Sequence, residues 1–332
     1  MKLVNKIKKA LNSPKDAMIY ILDMKIFNIL SDKAFLKLKY RVAYGKKLDL
    51  NNPQNYNEKL QWLKLYNRNP KYTNLVDKYE VKKYIENTIG KEYIIPTLGV
   101  FERFEDINFD TLPDKFVMKC THDSGGIIIC KDKKKLDLNS ARKIINKSLK
   151  NNFYFHGREW PYKDVKPRII IEKFMEVADS NTKIETKHKK NIDAETLQKE
   201  QGLLDYKFMC FNGEVKLMFL DIGVIGTGTG HAKEYYRNVY DEKFELLPVL
   251  ETRSNYPTKI NKPKNFSKMV EIAQNLSKGI PHVRVDLYNI DGKIYFGELT
   301  FFHGSGLSNY FIPEEWNTKI GNYIDLDKVK KW

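Results

Sequence analysis

A mixed α/β (α+β) fold is what this chain predicts, and three observations lead to it. Through the first seventy or so residues, apolar side chains fall at three- and four-residue spacing, the helical period. From Lys115 onward, short runs rich in Ile, Val and Phe alternate with polar residues at the strand period. Two hairpin signals, Asn212–Gly213 and Asp291–Gly292, join pairs of such runs. At 332 residues the chain holds about two domains, or one domain with subdomains.

The elements follow in order. Tyr20–Phe27 and Leu36–Tyr40 carry the helical pattern, and Asn57–Tyr66 is predicted as a helix with an Asn start. Asp77–Glu86 is predicted as a lysine-rich helix closed by Gly90, and Ile94–Val100 as a short strand. After Pro113, Lys115–Cys120 is a predicted strand, T-H-D-S-G-G (Thr121–Gly126) a loop, and Ile127–Cys130 the next strand. Leu138–Lys150 is predicted as a helix capped by Ser140. Arg168–Ile171 is an apolar strand ending at Glu172. Asp179–Gly202 is polar and reads as a surface excursion, part of it helical. Leu203–Phe211 and Glu214–Asp221 are the strands of the N-G hairpin, Gly223–Gly230 is a glycine-rich loop, and Pro263–Lys278 is an amphipathic helix. Val283–Thr300 is the D-G hairpin, Phe301–Gly306 a loop, and a short helix closes the chain after Pro313–Trp316.

Composition narrows the class. With 42% hydrophobic and 13% aromatic residues the chain has ample core material, which excludes a disordered protein. The net charge of +16 favours anionic partners such as nucleotides, acidic glycans, lipids or nucleic acid, although lysines on solvated helix faces account for most of it. Cys120, Cys130 and Cys210 form no C-x-x-C pair, so neither a disulfide framework nor a zinc site is expected, and a reducing cytoplasm is the natural setting. No run of 18 apolar residues exists, so no transmembrane helix is expected, and the broken run after Met1–Lys9 argues against a secretory signal. Met1–Leu11 has a helical lysine face. It suits either a peripheral contact with an anionic membrane or docking against the rest of the protein.

The chemistry-bearing residues cluster late in the chain. In Val283–Thr300, the residues Arg284, Asp286, Glu298 and Thr300 are all even-numbered, so with no bulge between them they share one face of the hairpin. Two facing carboxylates suit a hard divalent cation and an arginine suits a phosphate, whereas a plain exposed ion pair is the bland alternative. Lys119 sits between Met118 and Cys120 inside an apolar strand, where a lysine is costly without an anion. Ser124, Gly125 and Gly126 follow it and can offer backbone N–H groups to a triphosphate, or form an ordinary turn. Glu172, with Lys173 and Phe174, ends a strand and can meet an adenine edge, or be a surface pair. Asp205 and Lys207 lie on one side of the next strand. His122, His231, His282 and His303 have no metal-binding spacing, and no G-x-S-x-G or G-x-x-x-x-G-K-[ST] occurs. Gly226–Gly230 lacks the helix that follows a dinucleotide loop.

In order along the chain, D-K-Y-E-V-K (Asp77–Lys82), K-F-V-M-K-C-T-H-D-S-G-G (Lys115–Gly126), R-E-W-P-Y (Arg158–Tyr162), I-I-I-E-K-F-M (Ile169–Met175), D-Y-K-F-M-C-F-N-G (Asp205–Gly213), V-R-V-D-L-Y (Val283–Tyr288) and F-G-E-L-T-F (Phe296–Phe301) resemble the TupA-like branch of ATP-grasp ligases, associated with teichuronopeptide and capsular polysaccharide synthesis. The resemblance spans Asn51 to the C-terminus. It implies an ATP-grasp fold with a helical N-terminal extension: a helical region 1–70, a linker part 71–110, a lid subdomain 111–175 and a catalytic subdomain 176–332. It implies ATP and Mg²⁺ as cofactors. Lys82 and Lys119 would contact phosphates, Ser124–Gly126 would cover them, and Glu172 would meet the adenine amino group beside the Lys173–Phe174 backbone. Asp205 would also belong to the nucleotide site. Asp286, Glu298 and Thr300 would hold magnesium, Thr300 standing where many relatives carry asparagine; Arg284 and Lys207 would stabilise the transferred phosphoryl group. The implied reaction is amide formation through an acyl-phosphate, from a small-molecule or glycan carboxylate and an amine, in the cytoplasm or at the inner membrane face, with no nucleic-acid partner. A glycosyltransferase, with D-L-D at Asp325–Asp327 as its metal motif, and a sugar kinase are the alternatives. His156, Arg158, Glu159 and Arg237 are candidates for acceptor binding, or are simply solvated.

Overall fold

The computed structural model describes residues 14–178, 191–224, 235–308 and 310–332. The segment Met1–Leu11, the first half of the 179–202 excursion, His231 and most of the 223–230 loop lie outside the described residues.

Helices lead the chain: α1 (Pro14–Leu22), α2 (Asp32–Tyr44), α3 (Tyr56–Tyr66), α4 (Lys71–Val76) and α5 (Val81–Thr88). Their ends follow local chemistry. Ser31 caps α2 and Gly45, at φ 69°, closes it. Helix α3 starts at Asn55, not Asn57. The Asn55 side chain accepts from the Glu58 amide and Glu58 reaches back to the cap, a reciprocal pair that Asn57, with Leu60 three residues on, has no acid to make. The lysine-rich helix starts at Val81 rather than Asp77, because the Asp77 carboxylate accepts from the Tyr79 and Glu80 amides in a preceding turn.

Two antiparallel sheets follow. The smaller has strand order β1–β4–β2–β3, built from β1 (Thr97–Phe101), β2 (Phe116–Cys120), β3 (Ile128–Cys130) and β4 (Ile169–Lys173). One face, with Phe116, Met118, Cys120, Ile169 and Ile171, packs on Ala141 and Ile145 of α6 (Leu138–Leu149). That helix is capped by Asp137, whose carboxylate accepts from the amides of Asn139 and Ser140; Ser140 lies inside the first turn. These residues form a core separate from that of the rest of the protein. The opposite face carries Val117 and Lys119 beside Ile170 and Glu172. A one-turn helix, α7 (Tyr154–Gly157), precedes β4.

The polar excursion ends in β5 (Asn191–Asp193) and α8 (Ala194–Gln201). The larger sheet has order β12–β11–β6–β7–β8, from β6 (Asp205–Phe211), β7 (Glu214–Ile222), β8 (Tyr236–Tyr240), β11 (His282–Ile290) and β12 (Lys293–Thr300). Short strands β9 (Leu250–Glu251) and β10 (Lys259–Asn261) lie between β8 and α9 (Phe266–Ser277). The Cys210 thiol contacts the Ala273 carbonyl, so Tyr206, Phe208 and Cys210 face α9 and Asp205, Lys207 and Met209 face away from it. The chain ends with β13 (Phe311–Ile312), paired to β9, and α10 (Glu315–Gly321) against α3. Among the described residues, no helix is long and apolar enough to cross a membrane.

Candidate active site

On the free face of the larger sheet, cross-strand register sorts the charged residues into rows. Asp286 of β11 pairs with Lys207 of β6 on one side and Glu298 of β12 on the other. One row along, Arg284 pairs with Met209 and Thr300. On the other side, Arg237, Asp221, Asp205 and Tyr288 follow one another across four strands. Directly paired residues share a face, so these side chains meet. The hairpin does contain a bulge, between Asp286 and Leu287, but Gly297 absorbs it on the turn side of Glu298. The four even-numbered residues therefore stay on one face. A side chain at Gly297 would press within 3.1 Å of the Asp286 carbonyl.

Ion pairs fix the rows. The Arg284 guanidinium donates to both Asp286 oxygens at 2.6 and 2.7 Å and to Glu298 at 2.9 Å. Its remaining nitrogen lies 2.8 Å from Nδ1 of His303, whose Nε2 is 3.4 Å from Glu251. Lys207 donates to Asp286 at 2.8 Å and pairs with Asp205. Arg237 grips Asp221 at 2.5 and 2.7 Å and also pairs with Glu251. Thr300 donates to Glu298 at 3.2 Å. Burial alone would raise the Asp286 carboxyl, but Arg284 and Lys207 hold it below the usual range. Burial pushes Asp205 up to about 6 even with Lys207 beside it. Five carboxylates (Asp205, Asp221, Glu251, Asp286, Glu298) face three cations (Lys207, Arg237, Arg284), so the sheet face has an excess of negative charge.

The smaller sheet presents the opposite sign. Glu172 is buried between two lysines, Lys82 at 2.5 Å and Lys119 at 2.7 Å. Burial would raise its carboxyl, but the lysines lower it. Lys82 also donates to the Ile95 carbonyl and the Thr97 hydroxyl. The Lys173 amide already donates to the Pro96 carbonyl, so that N–H is not available to an adenine edge. Ser124 and Gly125 form the exposed tip of the β2–β3 loop, while its base is anchored. Asp123 accepts from Ser148 at 2.6 Å, and Lys78 donates to the Asp123 carbonyl at 2.7 Å. Gly126 has φ 61°, and a side chain there would collide with Ser148.

Between the sheets runs a cleft whose apolar walls include Ile95, Val117, Ile129, Phe174, Met175 and Leu203. Its polar lining is Lys119, Glu172, Lys173 and Asp205, with Tyr288 and Gly297 on the larger sheet. The Tyr288 hydroxyl is pushed well above its ordinary value, first by Asp205 and then by burial, Asp286, Glu298 and Glu172. It thus sits where the charges of both sheets converge. Oδ1 of Asp205 is buried without a hydrogen-bond partner, an acceptor in want of a hydroxyl, ammonium or cation from a ligand. Among the described residues, no group of three or more His, Cys, Asp or Glu side chains forms a protein-only metal cage. Magnesium is commonly held by one or two carboxylates plus substrate phosphates, which the facing Asp286 and Glu298 suit. Glu298, the more exposed of the two, has the freer oxygens.

Sequence reasoning missed several residues of this site. Lys78, half-buried, lies near Glu298, Lys119 and Asp123, and burial lowers its pKa; its signal was the D-K-Y-E-V-K motif itself. Tyr288 shares the alternation of Arg284 and Asp286 but was given no role, and His303 carried no spacing signal. The 303–306 loop that positions His303 runs through left-handed Gly304, Ser305 and Gly306, and it is clamped by α3: Lys64 donates to the Ser305 carbonyl at 2.6 Å and Gln61 to the Gly306 carbonyl at 2.8 Å. Three of the four acceptor-binding candidates are neither solvated nor open. Arg158 is fully buried against the Phe35 ring, Glu159 is buried, and Arg237 is locked by Asp221 and Glu251. The D-L-D motif is a surface turn in which Asp325 accepts from the Asp327 amide and pairs with Lys328.

A family model described as TupA-like ATPgrasp matches residues 58–190 and 178–325. None of the curated proteins matches the chain. Among solved structures, a D-alanine–D-alanine ligase from Bacillus anthracis aligns at 17% identity and TM-score 0.39, over 75% of this chain and 66% of its own. That from Helicobacter pylori aligns at 15% identity and TM-score 0.38, over 74% and 60%. An L-amino acid ligase from Bacillus licheniformis aligns at 14% and 0.41, over 84% and 57%. The chain thus spans less than two thirds of the length of these structures, and at this similarity the family assignment rests on the family model alone.

Proposed function

The chain belongs to the TupA-like ATP-grasp family, and from that premise we propose that it is an ADP-forming carboxylate–amine ligase. What supports this reading above all is the meeting of a net positive cluster, Lys82–Glu172–Lys119, and a net negative one, Lys207–Asp205–Asp286–Arg284–Glu298, at one apolar-walled cleft lined by Lys119, Glu172 and Asp205. Such a cleft suits an adenine ring between apolar walls and a triphosphate reaching toward the charges.

In this reading ATP is a substrate, with its base near Phe174 and Met175 and its phosphates near Lys119 and Lys82. Ser124–Gly126 stand at the tip of the adjoining loop. Asp286 and Glu298, with Thr300 through its bond to Glu298, would hold magnesium, which supplies positive charge against the phosphate oxygens. A substrate carboxylate oxygen attacks the γ-phosphorus, the bond to the β-bridging oxygen breaks, and ADP leaves. The amine nitrogen then adds to the acyl carbon, loses a proton and expels phosphate. Arg284 and Lys207 act on the charge that develops on the phosphoryl and acyl oxygens. Both are fixed beforehand by Asp286, so little reorganisation is needed. A serine or cysteine nucleophile has no part in this scheme, because the substrate acid is itself activated.

The acid is proposed to be a uronic acid or an amino acid, and the setting the cytoplasmic assembly of a capsular or other surface polysaccharide. Contact of the basic N-terminus with the inner membrane face belongs to the same proposal. The test is a screen of uronic and amino acids against amines, read as ADP and phosphate release with mass spectrometry of the products. An amide formed with stoichiometric ADP and phosphate is the expected result. A phosphorylated product without phosphate release would make the protein a kinase, and UDP release from a nucleotide sugar would make it a transferase.

A further inference from the structure

The first helical hairpin has a surface that the cleft does not use. Among the described residues fifteen large apolar side chains are exposed, and six of them fall between Met18 and Leu38. Single exposed apolar residues are ordinary, but a cluster marks an interaction surface. Met18 and Ile21 are one turn apart on α1. Met24, Ile26 and Ile29 follow on a short 3-10 turn that buries none of its own residues, and Ile26 and Ile29 are 73% and 90% exposed. The inward side of the hairpin is well packed: Leu22, Phe35, Leu36 and Tyr40 are buried. The outer residues are therefore not the fringe of a loose core.

Charge on the hairpin is one-sided. Lys33, Lys37 and Arg41 recur every four residues on the exposed side of α2, and Lys25 stands among the exposed isoleucines. Every exposed charged side chain from Met24 to Val42 is a cation. The two carboxylates nearby are drawn inward: Asp23 pairs with Lys39, and Asp32 pairs with Arg68 and accepts from the Tyr154 hydroxyl. Apolar side chains flanked by uncompensated cations complement a surface with a negative boundary and an apolar interior.

We propose that the α1–α2 hairpin docks on an anionic lipid bilayer, with Met24, Ile26 and Ile29 entering the headgroup boundary and Lys25, Lys33, Lys37 and Arg41 meeting lipid phosphates. This deepens the membrane contact proposed above and rests on that part of the reading, but not on the ligase chemistry, since membrane docking is measured without ATP. The test sediments the full chain with vesicles of equal parts phosphatidylglycerol and phosphatidylcholine, and with phosphatidylcholine alone, at low salt. Binding to the anionic vesicles and little to the neutral ones is expected. Lys33→Gln and Lys37→Gln each lower the partition coefficient roughly fivefold. Ile26→Asp with Ile29→Asp lowers it by more than about tenfold. ATP turnover in solution stays at the level of the unaltered protein in all of these variants. Four results would overturn the proposal. The protein could ignore anionic vesicles, or the variants could bind as well as the parent. A dimer that Ile29→Asp dissociates, without vesicle binding, would assign the face to a second copy. A lowered melting temperature in Ile26→Asp with Ile29→Asp, again without vesicle binding, would assign it to the chain's own preceding segment.

Discussion

The two sheets that enclose the cleft offer it opposite charge and hold that charge in different ways. On the larger sheet each cation is already shared between carboxylates. Arg284 spans Asp286 and Glu298, Lys207 spans Asp205 and Asp286, and Arg237 spans Asp221 and Glu251. On the smaller sheet one carboxylate, Glu172, serves two lysines. The larger sheet sits on the main core, and the smaller has its own. The difference teaches a division of labour. A face whose cations are fixed in advance suits transition-state charge, where reorganisation costs rate. A face whose lysines share a single carboxylate has capacity left for an incoming phosphate.

The sharpest way to break this division is to remove one cation from each face. Arg284→Met should lower kcat by about 10²–10³, the effect of losing one preorganised charge-stabilising group. Lys119→Met should act chiefly on the KM for ATP, because Lys82 still neutralises Glu172 in its absence. Steady-state kinetics with ATP varied at saturating acid and amine separates the two. Equal losses of kcat in both variants would show that the sheets do not divide the work.

The separate core makes a second test. Ile145 of α6 is fully buried in the smaller sheet's cluster, which also holds Met118 and Ile171. Ile145→Ala should destabilise that cluster by about 3 kcal/mol. If the cores are independent, hydrogen exchange speeds up in β2 and β4 while β6 and β11 keep their protection. Uniform acceleration through both sheets would mean a single cooperative unit.

How much of this was legible in the sequence follows from how local each signal is. The Arg284, Asp286, Glu298 and Thr300 face depends only on strand alternation and one hairpin turn, and the bulge at Gly297 falls where it cannot disturb them. Lys119 announced itself as a charge inside an apolar strand. Lys78 and His303 could not be found this way, because what they face is set by loops packed from distant parts of the chain. Arg158 failed for the same reason. It has a left-handed backbone at φ 53° and its guanidinium is stacked on Phe35, more than a hundred residues earlier. The cap errors at Asn57 and Ser140 had nearer causes: Asn55 has an acid three residues on, and Asp137 precedes Ser140 with a stronger acceptor.

Acid sensitivity should appear at Glu251, which reaches from β9 to Arg237 on the larger sheet. Burial alone would raise the Glu251 carboxyl, but His303 and Arg237 bring it from 4.5 to about 2. A carboxyl depressed on folding stabilises the protein above its unfolded pKa, and that stability is lost as pH falls through the folded value. Glu251 should therefore contribute on the order of 3 kcal/mol that disappears between roughly pH 4.5 and pH 2. Glu251→Gln should be less stable than the parent at neutral pH, with a flatter loss of stability across that interval. Denaturant melts at stepped pH read this directly. Parallel curves for parent and variant would mean that Glu251 titrates normally and the Arg237 pairing is weak.

The smallest effects compare the two regions most evenly. Asn55 caps α3, which clamps the 303–306 loop beneath the larger sheet's charges, and Asp137 caps α6 behind the smaller sheet. Asn55→Ala and Asp137→Ala should each cost about 1 kcal/mol. Matched costs make the location of the response informative. Asn55→Ala frees the first turn of a helix whose Gln61 and Lys64 hold the loop leading from His303, so kcat should fall a few-fold with the KM for ATP unchanged. Asp137→Ala loosens the support of β2 and should raise the KM for ATP with kcat nearly constant. An exchange of these two signatures would place the charge-fixing role on the smaller sheet and reverse the division between them.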